Sequence, residues 1–152
     1  MTDHGNMHGT VEFYQAAKKK GIKAIIGCEV YVAPGSRLDR KQGSGGMRDV
    51  YNHLVLLARD EVGYKNLLKL TTIAHLDGFY YRPRMDHDTL AQYSEGLIAL
   101  SVTVSSQIST QILQGDPVGA KRTAGQFREL FGADDFFFEV AETGYEQQQK
   151  VT

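Results

Sequence analysis

Thr2-Asp3-His4-Gly5-Asn6 sets a carboxylate beside an imidazole in a stretch that glycine and asparagine allow to turn. Such a loop can present both groups to a metal ion. Imidazole nitrogen and carboxylate oxygen suit Zn²⁺, Mn²⁺ or Fe²⁺, and a bound divalent ion can activate water for attack on a phosphoester. Glu29 lies inside the apolar run Ile25 to Val32, where an unpaired ionised carboxylate would cost several kcal/mol to desolvate. A metal would compensate it. So would a lysine or arginine from a neighbouring strand, or a place at the solvated strand end. His53 opens another apolar run, where a core histidine bonded to backbone is the simpler reading when it is taken alone. Taken together, His4, Glu29 and His53 fall at or beside separate expected strands. Parallel barrels gather functional groups from several strands at their carboxyl face, and two imidazoles with one carboxylate are metal-ligand chemistry.

The elements that must position these groups follow from hydrophobic patterning. Met1 to Gly9 reads as a loop, and Thr10 as the N-cap of a helix that ends at Gly21 after three lysines. Lys23 to Val32 is a short apolar strand closed by Pro34 and Gly35. Residues 36–49, rich in glycine and charge, are expected to form a flexible loop. Tyr51 to Ala58 reads as a second buried strand, and Asp60 caps a helix running to about Asp77. Phe79 to Tyr81 form an aromatic connection. Asp86 or Asp88 caps a short helix ending near Tyr93, and Leu97 to Leu100 is a strand. Helices over Gln107 to Leu113 and Pro117 to Phe131 follow, the second started by Asp116-Pro117, and Phe136 to Val140 is a last strand. Alternating short apolar strands and helices predict an α/β fold, a parallel sheet or barrel covered by helices.

With 152 residues the chain has the size of about one domain, and its net charge of −1 gives no global drive toward nucleic acid. The single cysteine, Cys28, falls in a buried run and fits a reducing cytosol. Nothing approaches the roughly 20 consecutive apolar residues of a membrane span, so a cytoplasmic protein without membrane contact is expected. His8, His75 and His87 read as structural, the last lying between two aspartates at a helix start.

Several strings occurring in order carry a resemblance: Thr2 to Asn6, Gly27-Cys28-Glu29-Val30-Tyr31, His53 to Ala58, Gly63 to Leu70, Gly78-Phe79-Tyr80-Tyr81-Arg82-Pro83-Arg84, Ser94 to Ser101, and Phe131-Gly132 with Phe136 to Glu139. Together they resemble the polymerase-and-histidinol-phosphatase (PHP) domain at the start of bacterial DNA polymerase III alpha subunits, over almost the whole chain. The resemblance implies a distorted (β/α)₇, TIM-like barrel, here partial, with residues 1–152 lacking the first strand and the C-terminal strands. It implies metal ligation by His4, Glu29 and His53, with Asp3 orienting His4. Intact members use such metals for 3′ to 5′ exonuclease or phosphoesterase chemistry. Thr103 stands where many members carry a cysteine ligand and Thr143 where a histidine is common, which implies a degenerate site. The parent's nucleotidyl transfer implies Mg²⁺ on carboxylates of a separate palm domain, so this piece is expected to act as a scaffold without polymerase activity. Implied partners are the rest of the alpha subunit, a proofreading exonuclease subunit, and DNA through the parent. A free-standing PHP phosphoesterase and a metal-free PHP interaction module are the competing readings. A barrel short of strands exposes a sheet edge. The isolated chain is therefore expected to self-associate, and light scattering from a monodisperse, cooperatively melting monomer would contradict this.

Overall fold

The computed structural model describes residues 1–40, 50–101, 104–141 and 144–151. Its strands are β1 (Thr2–His4), β2 (Gly27–Val32), β3 (Asn52–Ala58), β4 (Arg84–Met85), β5 (Leu97–Ser101) and β6 (Phe136–Phe138). Its helices are α1 (Thr10–Lys19), α2 (Glu61–Leu76), α3 (His87–Gln92), α4 (Gln107–Leu113), α5 (Pro117–Phe131) and α6 (Glu146–Val151). They form a mixed α/β fold around one six-stranded sheet of order β1-β2-β3-β5-β6, in which β4 also pairs with β2. The sheet is open, as in part of a PHP barrel.

Helix starts are set by short side chains that accept orphan backbone N–H groups. Asp60 accepts from Gly63, Asp116 from Gly119, and Ser106 from Ser109. At α3 the cap is Asp86, which accepts from Thr89 while the Thr89 hydroxyl accepts from the Asp86 N–H. Thr10 departs from expectation. Gly9 occupies the N-cap, and Thr10 enters the first turn with its side chain buried. Lys18 and Lys19 still sit in the last turn of α1, where the helix dipole favours them.

Two antiparallel pairings replace the wholly parallel sheet that the alternation predicts. β2 runs antiparallel to β3, and β3 antiparallel to β5, while β1–β2, β2–β4 and β5–β6 are parallel. A parallel step from β2 to β3 needs a crossover of a dozen or more residues, usually helical. The described residues of that connection contain no helix, and the chain simply returns. Most of the expected loop, residues 41–49, lies outside the described residues. β1 and β4, which the sequence reading leaves in connections, exist because β2 offers them an edge: β1 pairs with its first half and β4 with its end. The helix α6 was also not anticipated from the sequence.

One face of the sheet is covered by helices. Cys28, Val30, Val32, Leu54, Leu56, Leu97 and Ala99 pack there with Leu67 and Leu70 of α2, Leu90 of α3, and Phe127 and Phe131 of α5. Each large aliphatic side chain so buried contributes about 1.5–3 kcal/mol. At the far edge, β6 leaves Phe137 and Phe138 exposed.

Arg84 is buried at 3% exposure, yet among the described residues no carboxylate forms an ion pair with it. Its guanidinium donates instead to four backbone carbonyls, those of Gly78, Val50, Arg37 and Asp39, at 2.7–3.2 Å. It thereby ties both described ends of the β2–β3 connection to the end of α2. Beside it, Arg37 pairs with the buried Asp86 at 3.1 Å. Burial pushes the Asp86 carboxyl up, but hydrogen bonds from Arg37 and Thr89 outweigh it and hold the group below its ordinary range. Replacing Arg84 with methionine strands several buried carbonyls at once. We expect Arg84→Met to lose about 3 kcal/mol or more in urea unfolding, and a loss under about 1 kcal/mol would refute this account.

Candidate metal centre

The cluster follows from strand register. His4 is opposite Glu29 in the β1–β2 pair, so the two side chains leave the sheet on one face. In the β2–β3 pair Glu29 is opposite Val55 and Tyr31 opposite His53, which places His53 two residues along on that same face. The antiparallel return is what brings it there. His53 opens its strand, and in an all-parallel sheet the start of β3 would lie at the opposite end from the last residue of β1.

The carboxylate of Glu29 faces both imidazoles. His53 Nδ1 contacts Glu29 Oε1 directly, and His4 Nδ1 lies 3.4 Å from the same oxygen. One ligand atom from each residue lies within 4.8 Å of the other two. Among the described residues no lysine or arginine comes within ion-pair distance of Glu29. The ring of His53 bonds a carboxylate and not the backbone, while its main-chain N–H donates to Ser105 O at 2.9 Å. His4 is the open side of the cluster, with 66% of its side chain exposed against 21% for Glu29.

The turn after β1 is held from three sides. Gly5 adopts φ +69°, and a Cβ there would come within 2.9 Å of Pro83 Cγ and Tyr31 Cε2. Its N–H donates to Glu29 O at 2.8 Å, its carbonyl contacts His75 Nε2 at 2.9 Å, and Asn6 bonds the His4 carbonyl. Asp3 lies opposite Cys28, on the helix-covered face, so the alternation of β1 sends it away from the His4 ring. Its carboxylate lies near Gly9 at the start of α1, a favourable place for negative charge. Cys28 is fully buried and donates to Asp3 O. Burial pushes its thiol up to about 12, and alternation along β2 puts it on the helix-covered face, away from the Glu29 carboxylate.

Tyr31 and Tyr51 wall the cluster, and the sequence reading gave neither a role. Tyr31 packs edge-on against both His53 and Tyr51, with ring centroids 5.2 Å and 4.9 Å apart. Burial pushes its phenol up, against the opposing pull of Arg82. The signal for Tyr31 was its place two residues after Glu29, which alternation puts on the same face. His75 contacts the Gly5 turn from α2, and His87 stacks on Phe127 at 4.8 Å, so both have structural contacts. Thr103 and Thr143 lie outside the described residues.

Two imidazole nitrogens and a carboxylate oxygen converging on one point fit Zn²⁺, Mn²⁺ or Fe²⁺ by the chemistry of the donors.

A family model described as the PHP domain matches residues 1–143. The chain is 47% identical to a DNA polymerase III subunit alpha of Treponema pallidum, 46% to that of Thermus aquaticus and 43% to that of Deinococcus radiodurans, each over 99% of its own length. It spans only 11–13% of the length of these relatives. With the family model covering nearly all of its length, and with the strand order that brings His4, Glu29 and His53 together, this chain belongs to the PHP domain family.

Proposed function

We propose that this chain is the PHP part of a DNA polymerase III alpha subunit and that His4, Glu29 and His53 hold a divalent cation, Zn²⁺, Mn²⁺ or Fe²⁺. The observation that carries the metal reading is the single Glu29 oxygen facing two imidazoles, with no lysine or arginine among the described residues in ion-pair distance of it. The relatives support the polymerase reading, because they share 43–47% identity across the chain.

In that role the chain's own residues do three things. Glu29 supplies the negative charge, His53 and His4 supply neutral donors on either side of it, and the Gly5 turn fixes where His4 leaves β1. A bound ion would polarise phosphate oxygens and provide hydroxide for phosphoester cleavage. Tyr31 and Tyr51 shield one side of the cluster from water. Nucleotidyl transfer, with Mg²⁺ on palm carboxylates, belongs in this reading to the larger protein, and the PHP part serves as a scaffold for it. Its partners are then the remainder of the subunit, a proofreading exonuclease subunit, and DNA reached through the parent, in the cytoplasm. No described helix is long and apolar enough to cross a membrane.

Metal titration with elemental analysis tests the ligand assignment. His53→Ala and Glu29→Gln should each weaken binding at least about 10-fold, and unchanged affinity in both would remove these residues from the site. Gly5→Ala forces a side chain into the left-handed region and into Pro83 and Tyr31. It should cost about 1–2 kcal/mol of stability and weaken metal binding as well. Sequencing the gene on both sides tests the polymerase reading: a long continuing frame with palm carboxylates supports it, and an early stop would point to a free-standing phosphoesterase.

A further inference from the structure

Three described arginines are already engaged. Arg84 is committed to four backbone carbonyls, Arg37 pairs with Asp86 and Asp77, and Arg59 pairs with Asp135 and Asp60. Arg82 differs from them. It is exposed, and among the described residues no carboxylate forms an ion pair with it. Its guanidinium carbon lies 5.7 Å from the centre of the Tyr31 ring, the ring that packs 5.2 Å from His53. The Tyr31 ring therefore lies beside both this cation and His53 of the cluster.

The backbone holds Arg82 in that place by several contacts. The Tyr80 N–H donates to Arg82 O at 3.0 Å across a tight turn. Tyr81, at its tip, is the one non-glycine residue at positive φ among the described residues, at +60° and 52% exposed. Such a conformation costs about 1–3 kcal/mol and persists only where its surroundings enforce it. Pro83, next along, packs against the Gly5 turn that carries His4, and Arg84 anchors the following residue in the core. The loop is thus braced against the His4 turn on one side and the sheet on the other.

We propose that Arg82 is the anion-recognition residue of this site, donating from its guanidinium to a nonbridging oxygen of a phosphoester held at the metal centre. The inference rests on the metal-site reading above and deepens it. An arginine held over an aromatic face can offer its planar fork for bidentate hydrogen bonding to phosphate, which a lysine cannot reproduce. The strained turn then has a physical use, since it holds the guanidinium beside the ring that walls the cluster.

Calorimetric titration of the full chain with inorganic phosphate, with and without Mn²⁺, tests this. Arg82→Gln should weaken phosphate binding about 10-fold, the effect of one charge-assisted hydrogen bond, with Mn²⁺ affinity and melting temperature unchanged. Arg82→Lys should recover only part of the loss. Arg122→Gln, which removes an exposed arginine from α5, should leave phosphate affinity as it was. Equal phosphate affinity in Arg82→Gln and the parent would overturn the proposal, as would an equal loss in Arg122→Gln or a parent that does not bind phosphate. His53→Ala keeps the two readings apart. If it loses Mn²⁺ while Arg82→Gln binds phosphate normally, only the Arg82 assignment falls. If it retains Mn²⁺ while Arg82→Gln still loses phosphate, the ligand assignment falls and the anion site stands.

Discussion

Six residue pairs join β2 to β3 in antiparallel register, from Gly27 opposite Leu57 to Val32 opposite Asn52. This ladder determines which residues can meet. A slip of one residue would turn Glu29 or His53 to the other face of the sheet and send apolar side chains the opposite way. The slip is opposed by burial, because Cys28, Val30, Leu54 and Leu56 would have to leave the helix-covered core. Hydrophobic packing on one face thus enforces polar geometry on the other. Arg84 adds a second restraint by bonding carbonyls at both described ends of the connection between the strands.

The same division of labour explains why the polar cluster is tolerated. Glu29 is only partly exposed, so its charge is incompletely solvated, and the two imidazoles are the groups that face it. A neutral imidazole can donate one hydrogen bond to the carboxylate but does not cancel its charge. A divalent ion would do both, satisfying the remaining lone pairs and offsetting the desolvation that burial imposes. The three groups could thus hold a cation as well as pair with one another. The Tyr31 ring links this cluster to Arg82, so positive charge stands near the cluster without neutralising Glu29.

An open sheet within a barrel-forming family has consequences for its edges. β6 ends the sheet with Phe137 and Phe138 exposed, while β1 and β4 share the outer edge of β2. An edge strand with two large exposed aromatics is a surface that other chain segments can cover. Within the much longer relatives there is ample chain to do so, since the matched region is 11–13% of their length.

Local chemistry was legible in the sequence. Asp60, Asp86 and Asp116 cap the helices that they precede, because a cap is a contact between a side chain and an N–H three residues later. The spans of α4 and α5 were legible too, that of α5 from Asp116-Pro117 at its start and Gly132 at its end, and so were the residue types His4, Glu29 and His53, whose chemistry does not depend on the fold. Strand direction was not. Apolar runs look alike whether they pair parallel or antiparallel, and the path of the connection decides between them. Nor could the sequence show β1 and β4, which are too short to carry a pattern and exist only by pairing with β2. The roles of three nearby residues, Arg82 over the Tyr31 ring, Arg84 buried and Asp3 turned to the helix face, depend on which groups the tertiary structure sets beside them. Sequence determined the donors and the caps, which act over a few bonds; tertiary structure decided their convergence, because convergence requires segments far apart in the chain to share one face of one sheet.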